Sequence, residues 1–177
     1  MNVAASAGEA VRFDVVERAW GALRGVPDPE IPAISIVELG VVRGVEATAE
    51  GVRVCITPTY SGCPAMRVIE ADVRTALAEL ALREVSIQTR LSPAWTTDWI
   101  APEAKTKLRL FGIAPPGGSA PRIDVSGISP LRRQSSVACP RCASTATALV
   151  AQFGSTACKA LYRCTACSEP FDYFKPF

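Results

Sequence analysis

Cysteine is the residue type through which this 177-residue chain can do the most chemistry. Four of its seven cysteines form two Cys-x-x-Cys pairs, Cys139 with Cys142 and Cys164 with Cys167, and twenty-one residues separate the pairs. Each such pair lets two thiolates meet one ion, and two pairs complete a tetrahedral shell. The spacing therefore predicts a tetrathiolate site for structural zinc, with an iron–sulfur cluster on the same thiolates as the alternative.

The other three cysteines have no comparable spacing. Cys63 stands in "TPTYSGCPAM" (57–66), where strand-like sequence gives way to an expected helix start. Exposed N–H groups and the positive end of a helix dipole lower a thiol pKa, so Cys63 is predicted to be a reactive thiolate or a transient metal ligand. A buried, inert cysteine is the alternative. Cys55 and Cys158 fall in predicted strands and are interpreted as packing residues, with a redox thiol as the alternative for Cys158.

Composition excludes several classes of function. The chain has no histidine, which excludes a Ser-His or Cys-His catalytic pair and a histidine-ligated metal within it. A net charge of +2 gives no electrostatic case for nucleic acid or an anionic membrane. No apolar run approaches the roughly 20 residues of a membrane span, and the first residues do not follow the order of a signal peptide. We therefore expect a cytoplasmic protein whose cysteines stay thiols or metal ligands.

Hydrophobic periodicity predicts the elements that must position these residues. Helical spacing is found at 9–24, from Pro64 to about Leu82, and from Pro102 to near Gly112. Alternating sequence predicts a β-hairpin over 41–60 and a third strand at 85–91. The order α-β-β-α-β-α predicts an α+β domain, residues 8–115, with helices packed on a small three-stranded sheet.

The remaining sequence divides into a linker and a second module. Residues 116–136 are rich in Pro, Gly and Ser, which is typical of a linker. Residues 137–177 hold both cysteine pairs in strand-rich sequence and are predicted to form a zinc-ribbon-like module. A module of about 40 residues buries too little apolar surface to fold without a cross-link, so a structural metal is expected there.

Three acidic residues lie in loops. "DPEIP" places Asp28 and Glu30 between prolines, and "WTTDWI" places Asp98 between two tryptophans. By residue type alone these are an acidic turn and a helix or turn cap.

The loops also carry a resemblance. "DPEIPAISIVELGVVRGV", "TPTYSGCPAM" and "WTTDWIAPEAKTKLRLFGIAPP" resemble the metal–sulfur cluster biosynthetic domain family over residues 10–115. This resemblance implies a role in iron–sulfur protein maturation, with Asp28, Glu30 and Asp98 in the family-motif loops and iron or an iron–sulfur cluster held transiently at Cys63. One thiolate cannot hold a cluster alone, so a partner or a second copy in a homodimer must complete the shell.

The full chain is similar to a narrower family. "FGSTACKALYRCTACSEPFDYFKPF" behind such a domain resembles the D subunits of the phenylacetyl-CoA epoxidase system. The resemblance implies an accessory or maturation protein without catalysis of its own, whose partners are the oxygenase or reductase subunits of a di-iron monooxygenase in aerobic phenylacetate breakdown. The alternatives are a structural adaptor that docks through the ribbon, an enzyme using a lone cysteine, and a nucleic-acid-binding ribbon, of which we favour the adaptor.

Overall fold

The computed structural model describes residues 3–117 and 137–177, which divide into two compact units, Met1–Trp95 and Thr96–Phe177. The predicted linker (116–136) lies outside the described residues except for its first two, so its placement stays a prediction. Within the described ranges no helix is long and apolar enough to cross a membrane.

The first unit is a three-stranded sheet with two helices. Its elements are α1 (Val3–Arg24), β1 (Val42–Ala47), β2 (Gly51–Ile56), α2 (Met66–Ala78) and β3 (Glu84–Thr89). The strand order is β1-β2-β3, with β1 antiparallel and β3 parallel to β2. A parallel pair needs a crossover connection, and α2 provides it. The first five elements follow the predicted order, although α1 begins at Val3 rather than at residue 9 and the third predicted helix belongs to the second unit.

Periodicity explains how this unit buries its core. Ile69, Val73 and Leu77 are spaced four apart on α2 and are all buried, which gives the helix one apolar face. On β2, Val52, Val54 and Ile56 are buried while Arg53 and Cys55 between them are not, as the alternation of a half-buried strand requires.

The second unit is a four-stranded sheet preceded by one helix. After a 3-10 turn (Thr97–Trp99) come α3 (Pro102–Leu110), β4 (Ile113–Ala114), β5 (Thr147–Ala151), β6 (Lys159–Cys164) and β7 (Pro170–Phe174), with strand order β4-β7-β6-β5. Proline opens α3 at a position where its missing N–H is not needed. The fold prediction, an α+β sheet domain followed by a ribbon, is confirmed, but the sequence did not predict β4.

Candidate metal centre and the Cys63 loop

The two cysteine pairs converge on one point. The Sγ atoms of Cys139, Cys142, Cys164 and Cys167 all lie within 4.8 Å of one another. Cys139 Sγ is 3.8 Å from Cys167 Sγ, and Cys142 Sγ is 3.6 Å from Cys164 Sγ. Thiolates bound at about 2.3 Å in a tetrahedron stand about 3.8 Å apart, whereas a disulfide brings its sulfurs to about 2.0 Å. The four free thiols therefore have the spacing of a shell around a single ion.

The two knuckles, defined as the loops that follow Cys139 and Cys164, have the same backbone hydrogen bond and a similar backbone conformation. Each of these cysteines donates its N–H to the carbonyl oxygen five residues later, at 2.9 Å in both cases. The residue after the second cysteine of each pair is left-handed, with φ of 61° at Ala143 and 65° at Ser168. A non-glycine residue there costs about 1 kcal/mol or more, so the repeated conformation is maintained by its surroundings. Both pairs are thereby turned toward the same centre.

The crowded thiols differ in acidity. The backbone N–H of Cys167 donates to the sulfur of Cys164 and, with that of Ala166, lowers the pKa of Cys164 to about 7. At Cys167 the N–H of Glu169 lowers the pKa, but desolvation and the contacts with the other three sulfurs outweigh it and raise the pKa to about 12. A cation among these sulfurs favours all four thiolates, so metal binding at this site must release protons.

An ion pair that the sequence did not predict joins the two knuckles. The guanidinium of Arg141, inside the first Cys-x-x-Cys pair, donates to the carboxylate of Glu169, two residues beyond the second pair. Glu169 raises the pKa of Arg141, and the charges of Cys167 and Cys139 act in the same direction. Arg141 therefore places a positive charge near two of the sulfurs.

Cys63 lies in a turn before α2 rather than at the first turn of the helix. Its N–H donates to the carbonyl of Tyr60 at 3.1 Å, and its own carbonyl accepts the N–H of Met66 at 3.4 Å. These bonds form two short turns that lead into α2, which begins at Met66. The expectation that Pro64 opens the helix is therefore wrong, and Cys63 stands three residues outside it.

The surroundings of Cys63 raise its thiol pKa above the ordinary 9.0, mainly because the half-buried thiol is desolvated. A hydrogen bond from the backbone of Ala65 opposes this, the charges of Glu30 and Asp28 add to it, and a weaker hydrogen bond with Thr59 opposes it. The expected lowering of the pKa by the helix is thus outweighed. The fold therefore brings the charges of Asp28 and Glu30 close enough to act on the Cys63 thiol, while the role of Cys63 as a thiolate or metal ligand stays a prediction.

Asp28 builds the loop that carries Glu30. Its carboxylate accepts the backbone N–H groups of Glu30 at 3.0 Å and Ile31 at 2.8 Å, and the residue is only 5% exposed. An aspartate whose carboxylate accepts hydrogen bonds from the backbone N–H groups two and three residues later is a common feature of turns. The prolines on either side of Asp28 and Glu30 indicated this turn in the sequence. Asp28 therefore fixes the loop, and Glu30 is the half-buried carboxylate that this loop presents.

The remaining predicted residues lie elsewhere. Asp98 is exposed in the 3-10 turn of the second unit, where its N–H donates to Thr96 Oγ1 at 3.3 Å, and its family-motif role stays a prediction. Cys158 is 3% exposed with its sulfur 3.0 Å from Thr156 Oγ1, and Cys55 is half-buried in β2. Both positions are consistent with the interpretation of Cys158 and Cys55 as packing residues.

Two family models match the chain. One, described as an iron–sulfur cluster assembly protein, matches residues 17–88, and the other, described as the PaaD zinc beta ribbon domain, matches residues 125–175. The two matches correspond to the sheet domain that contains Cys63 and to the module that contains the four-cysteine group.

Similar proteins match either nearly the whole chain or about half of it. A protein of Escherichia coli (strain K12), named as a candidate D subunit of 1,2-phenylacetyl-CoA epoxidase, is 47% identical over 160 residues, or 90% of this chain and 92% of that protein. The Fe-S protein maturation auxiliary factor YitW of Bacillus subtilis (strain 168) is 35% identical over 94 residues, or 52% of this chain and 91% of its own length. The crystal structure of a domain of unknown function, DUF59, from Bacillus anthracis superposes with a TM-score of 0.53 at 26% identity, covering 56% of this chain and 96% of that one.

Proposed function

Because this chain belongs to the family of phenylacetyl-CoA epoxidase D subunits, we propose that it is an accessory protein of that epoxidase system. In this proposal it assists assembly of an iron–sulfur or di-iron centre used in aerobic phenylacetate catabolism, and it performs no catalysis of its own. Its partners are the oxygenase or reductase components of the system. The match of residues 17–88 to iron–sulfur cluster assembly proteins supports the maturation role.

The observation that carries this proposal is that the charges of Glu30 and Asp28 act on the half-buried thiol of Cys63. A desolvated thiol whose pKa is raised further by two carboxylates is protonated at neutral pH and is a poor nucleophile. A metal cation reverses this, because it is attracted by the carboxylates and converts a coordinating thiol to the thiolate. The arrangement thus favours iron, as cargo, over an electrophilic substrate. A partner or a second copy of the chain must supply the remaining ligands.

We further propose that the four-cysteine group holds one structural zinc ion. The sulfur spacing fits a single ion, and a cluster of several irons and sulfides would hold its thiolates farther apart. The zinc supplies a four-way cross-link between the knuckles. The small module needs such a cross-link because, among the described residues, the buried cluster that contains two of these cysteines has only seven members and a partly buried tyrosine packed against it: Ala114, Val137, Cys139, Ala160, Cys164, Phe171, Tyr173 and Tyr162.

A second candidate function is that of an adaptor that docks epoxidase components without transferring metal. The observation that favours it is the exposure of Leu110 and Phe111, which line a cleft beside the knuckles. In the adaptor role Cys63 is inert, and the two functions therefore differ in their dependence on this residue.

Anaerobic purification with metal and sulfide analysis tests the maturation role. Wild type, Cys63→Ser and the matched control Cys55→Ser, which replaces a half-buried cysteine of the same unit, are isolated from iron-supplemented cells. We expect about one zinc per chain in all three proteins, and iron above background only where Cys63 is present. Iron that is absent from wild type, or retained by Cys63→Ser, contradicts the proposal.

A further inference from the structure

The second unit has a surface cleft lined in part by apolar side chains that remain exposed. A cleft of about 380 Å³ lies between the end of α3 and the two knuckles. Its lining includes Arg109, Leu110 and Phe111 from the end of the helix, Pro140 and Arg141 from the first knuckle, and Pro170 after the second. We call these six residues the cleft patch.

The apolar members of the cleft patch contribute little to the core. α3 packs through Ala104 and Leu108, both fully buried, whereas Leu110 is 84% exposed and Phe111 is 54% exposed. Single exposed apolar residues are ordinary on protein surfaces, but these two are adjacent and continue into a cleft walled by prolines. Contiguous apolar surface of this kind, with a polar rim, marks an interaction site.

Charge indicates what the cleft patch binds. Its cations are Arg109 and Arg141, and among the described residues that line the cleft Glu169 is the one carboxylate. Glu169 is already paired with Arg141, and within the described residues Arg109 makes no ion pair. An occupant that buries Leu110 and Phe111 must therefore also bring a carboxylate for Arg109, since a buried unpaired guanidinium is costly.

We propose that the cleft patch docks a segment of a partner protein that carries an apolar side chain next to a carboxylate. The apolar side chain enters the cleft beside Phe111 and Pro170, and the carboxylate pairs with Arg109. A protein segment is favoured over a small molecule because Leu110 is 84% exposed although it lines the cleft, so a molecule confined to the cleft would leave most of this side chain uncovered. Arginine and aromatic residues are enriched at the centres of such interfaces.

The cleft patch shares backbone with the metal-binding loops. Pro140 and Arg141 lie inside the first Cys-x-x-Cys pair, and Glu169 follows the second pair. The cross-link that orders the knuckles therefore also orders one wall of the cleft. Docking should consequently require the metal-loaded form of the second unit.

The test uses the full zinc-loaded chain and the purified oxygenase and reductase components of the same epoxidase, with binding measured by calorimetry. This choice of probes rests on the epoxidase role proposed above. The patch variants are Arg109→Glu and Leu110→Ser/Phe111→Ser. The matched control is Leu149→Ser/Val150→Ser, which changes two exposed apolar residues of β5 in the same unit, 40% and 58% exposed.

We expect each patch variant to weaken binding to one component by about tenfold or more, because central interface residues carry most of the affinity. The control should stay within about twofold of wild type, and zinc content should be unchanged in all variants. Higher salt should weaken wild type more than Arg109→Glu. The proposal is overturned if wild type binds neither component, if the patch variants bind like wild type, or if the control loses as much.

Two further readouts separate this inference from its alternatives. If the cleft patch instead joins two copies of the chain, wild type self-associates in sedimentation and the patch variants do not, which overturns the assignment to a partner. The iron analysis of Cys63→Ser is independent of docking. Docking that fails while Cys63-dependent iron binding persists overturns only the inference about the patch, and the reverse result overturns only the maturation role.

Discussion

The guanidinium of Arg141 and the carboxylate of Glu169 form an ion pair that links the first knuckle to the second. The two residues are 28 positions apart in sequence, and each lies within two residues of a cysteine of the metal-binding group. The pair therefore acts on the same two loops that the proposed metal would cross-link, and its contribution can be measured through metal retention.

Arg141→Ala should speed the transfer of zinc to a chelator by up to about fivefold. The effect should be no larger than this, because an exposed ion pair is screened by solvent and contributes little. The release rate is followed with a colorimetric chelator. Glu169→Gln should have a similar effect and add little to Arg141→Ala, because both changes remove the same pair.

The control for this prediction is Arg53→Ala, which breaks an exposed ion pair with Glu46 in the first unit. Zinc release from this variant should equal that of wild type. Equal release rates for Arg141→Ala and wild type would show that the ion pair does not support the metal site.

Cys139→Ser should lose zinc and the folded structure of the second unit. Cys139 is 2% exposed, so the change removes a buried ligand from a module with a small core. The bound zinc should fall from about one equivalent toward zero, and residues 137–177 should become sensitive to protease. Cys158→Ala, which changes a buried cysteine outside the four-cysteine group, should keep its zinc. A Cys139→Ser protein with one tightly bound zinc contradicts the assignment.

Gly51→Ala tests the parallel pairing of β2 with β3. A Cβ at Gly51 would lie 1.9 Å from the carbonyl oxygen of Glu84, which is backbone and cannot move without disturbing the sheet. We expect a loss of about 3 kcal/mol in the free energy of unfolding, measured with denaturant.

The control for the sheet is the same substitution in α1. A Cβ added at Gly21 would meet no atom within 4 Å, so Gly21→Ala should stabilise the helix by roughly 0.5–1 kcal/mol. If Gly51→Ala and Gly21→Ala change the free energy of unfolding by the same amount, the close approach of β2 to β3 at Gly51 is contradicted.

Alkylation of Cys63 should be slow at neutral pH and should depend on Glu30. The reactive species is the thiolate, and the pKa of Cys63 lies above 9.0, so less thiolate forms at a given pH than for an ordinary cysteine. Glu30→Gln removes a negative charge that raises this pKa, so its rate profile should move to lower pH. Peptide-resolved mass spectrometry gives the rate at each pH. Glu46→Gln, an exposed carboxylate on β1, should leave the profile unchanged.

Local patterns were sufficient to predict the grouping of the four cysteines and most of the fold. These cysteines belong to two short turns whose geometry is fixed within a few residues, so spacing alone indicated that they would converge. Helix and strand periods likewise identified α2 and the β1–β2 hairpin. In contrast, β4 has only two residues, which is too few to show the alternation that identifies a strand. It also pairs with β7, which lies some sixty residues later in the chain.

The electrostatics of Cys63 depended on tertiary contacts. From the sequence, the nearby helix start suggested a lowered thiol pKa. The loop bearing Asp28 and Glu30 is more than thirty residues away along the chain, and only the folded unit brings its charges to the thiol. The same holds for the pairing of Arg141 with Glu169, because it requires both knuckles to be in place.

The iron content of the epoxidase oxygenase component, isolated from cells that carry either wild type or Cys63→Ser as their only copy of this chain, tests the central proposal most directly. Cys55→Ser serves as the control, and epoxidase activity is measured on the same samples. We predict that Cys63→Ser lowers both the iron content and the activity, while Cys55→Ser preserves them. Full iron occupancy and activity with Cys63→Ser would contradict the maturation role.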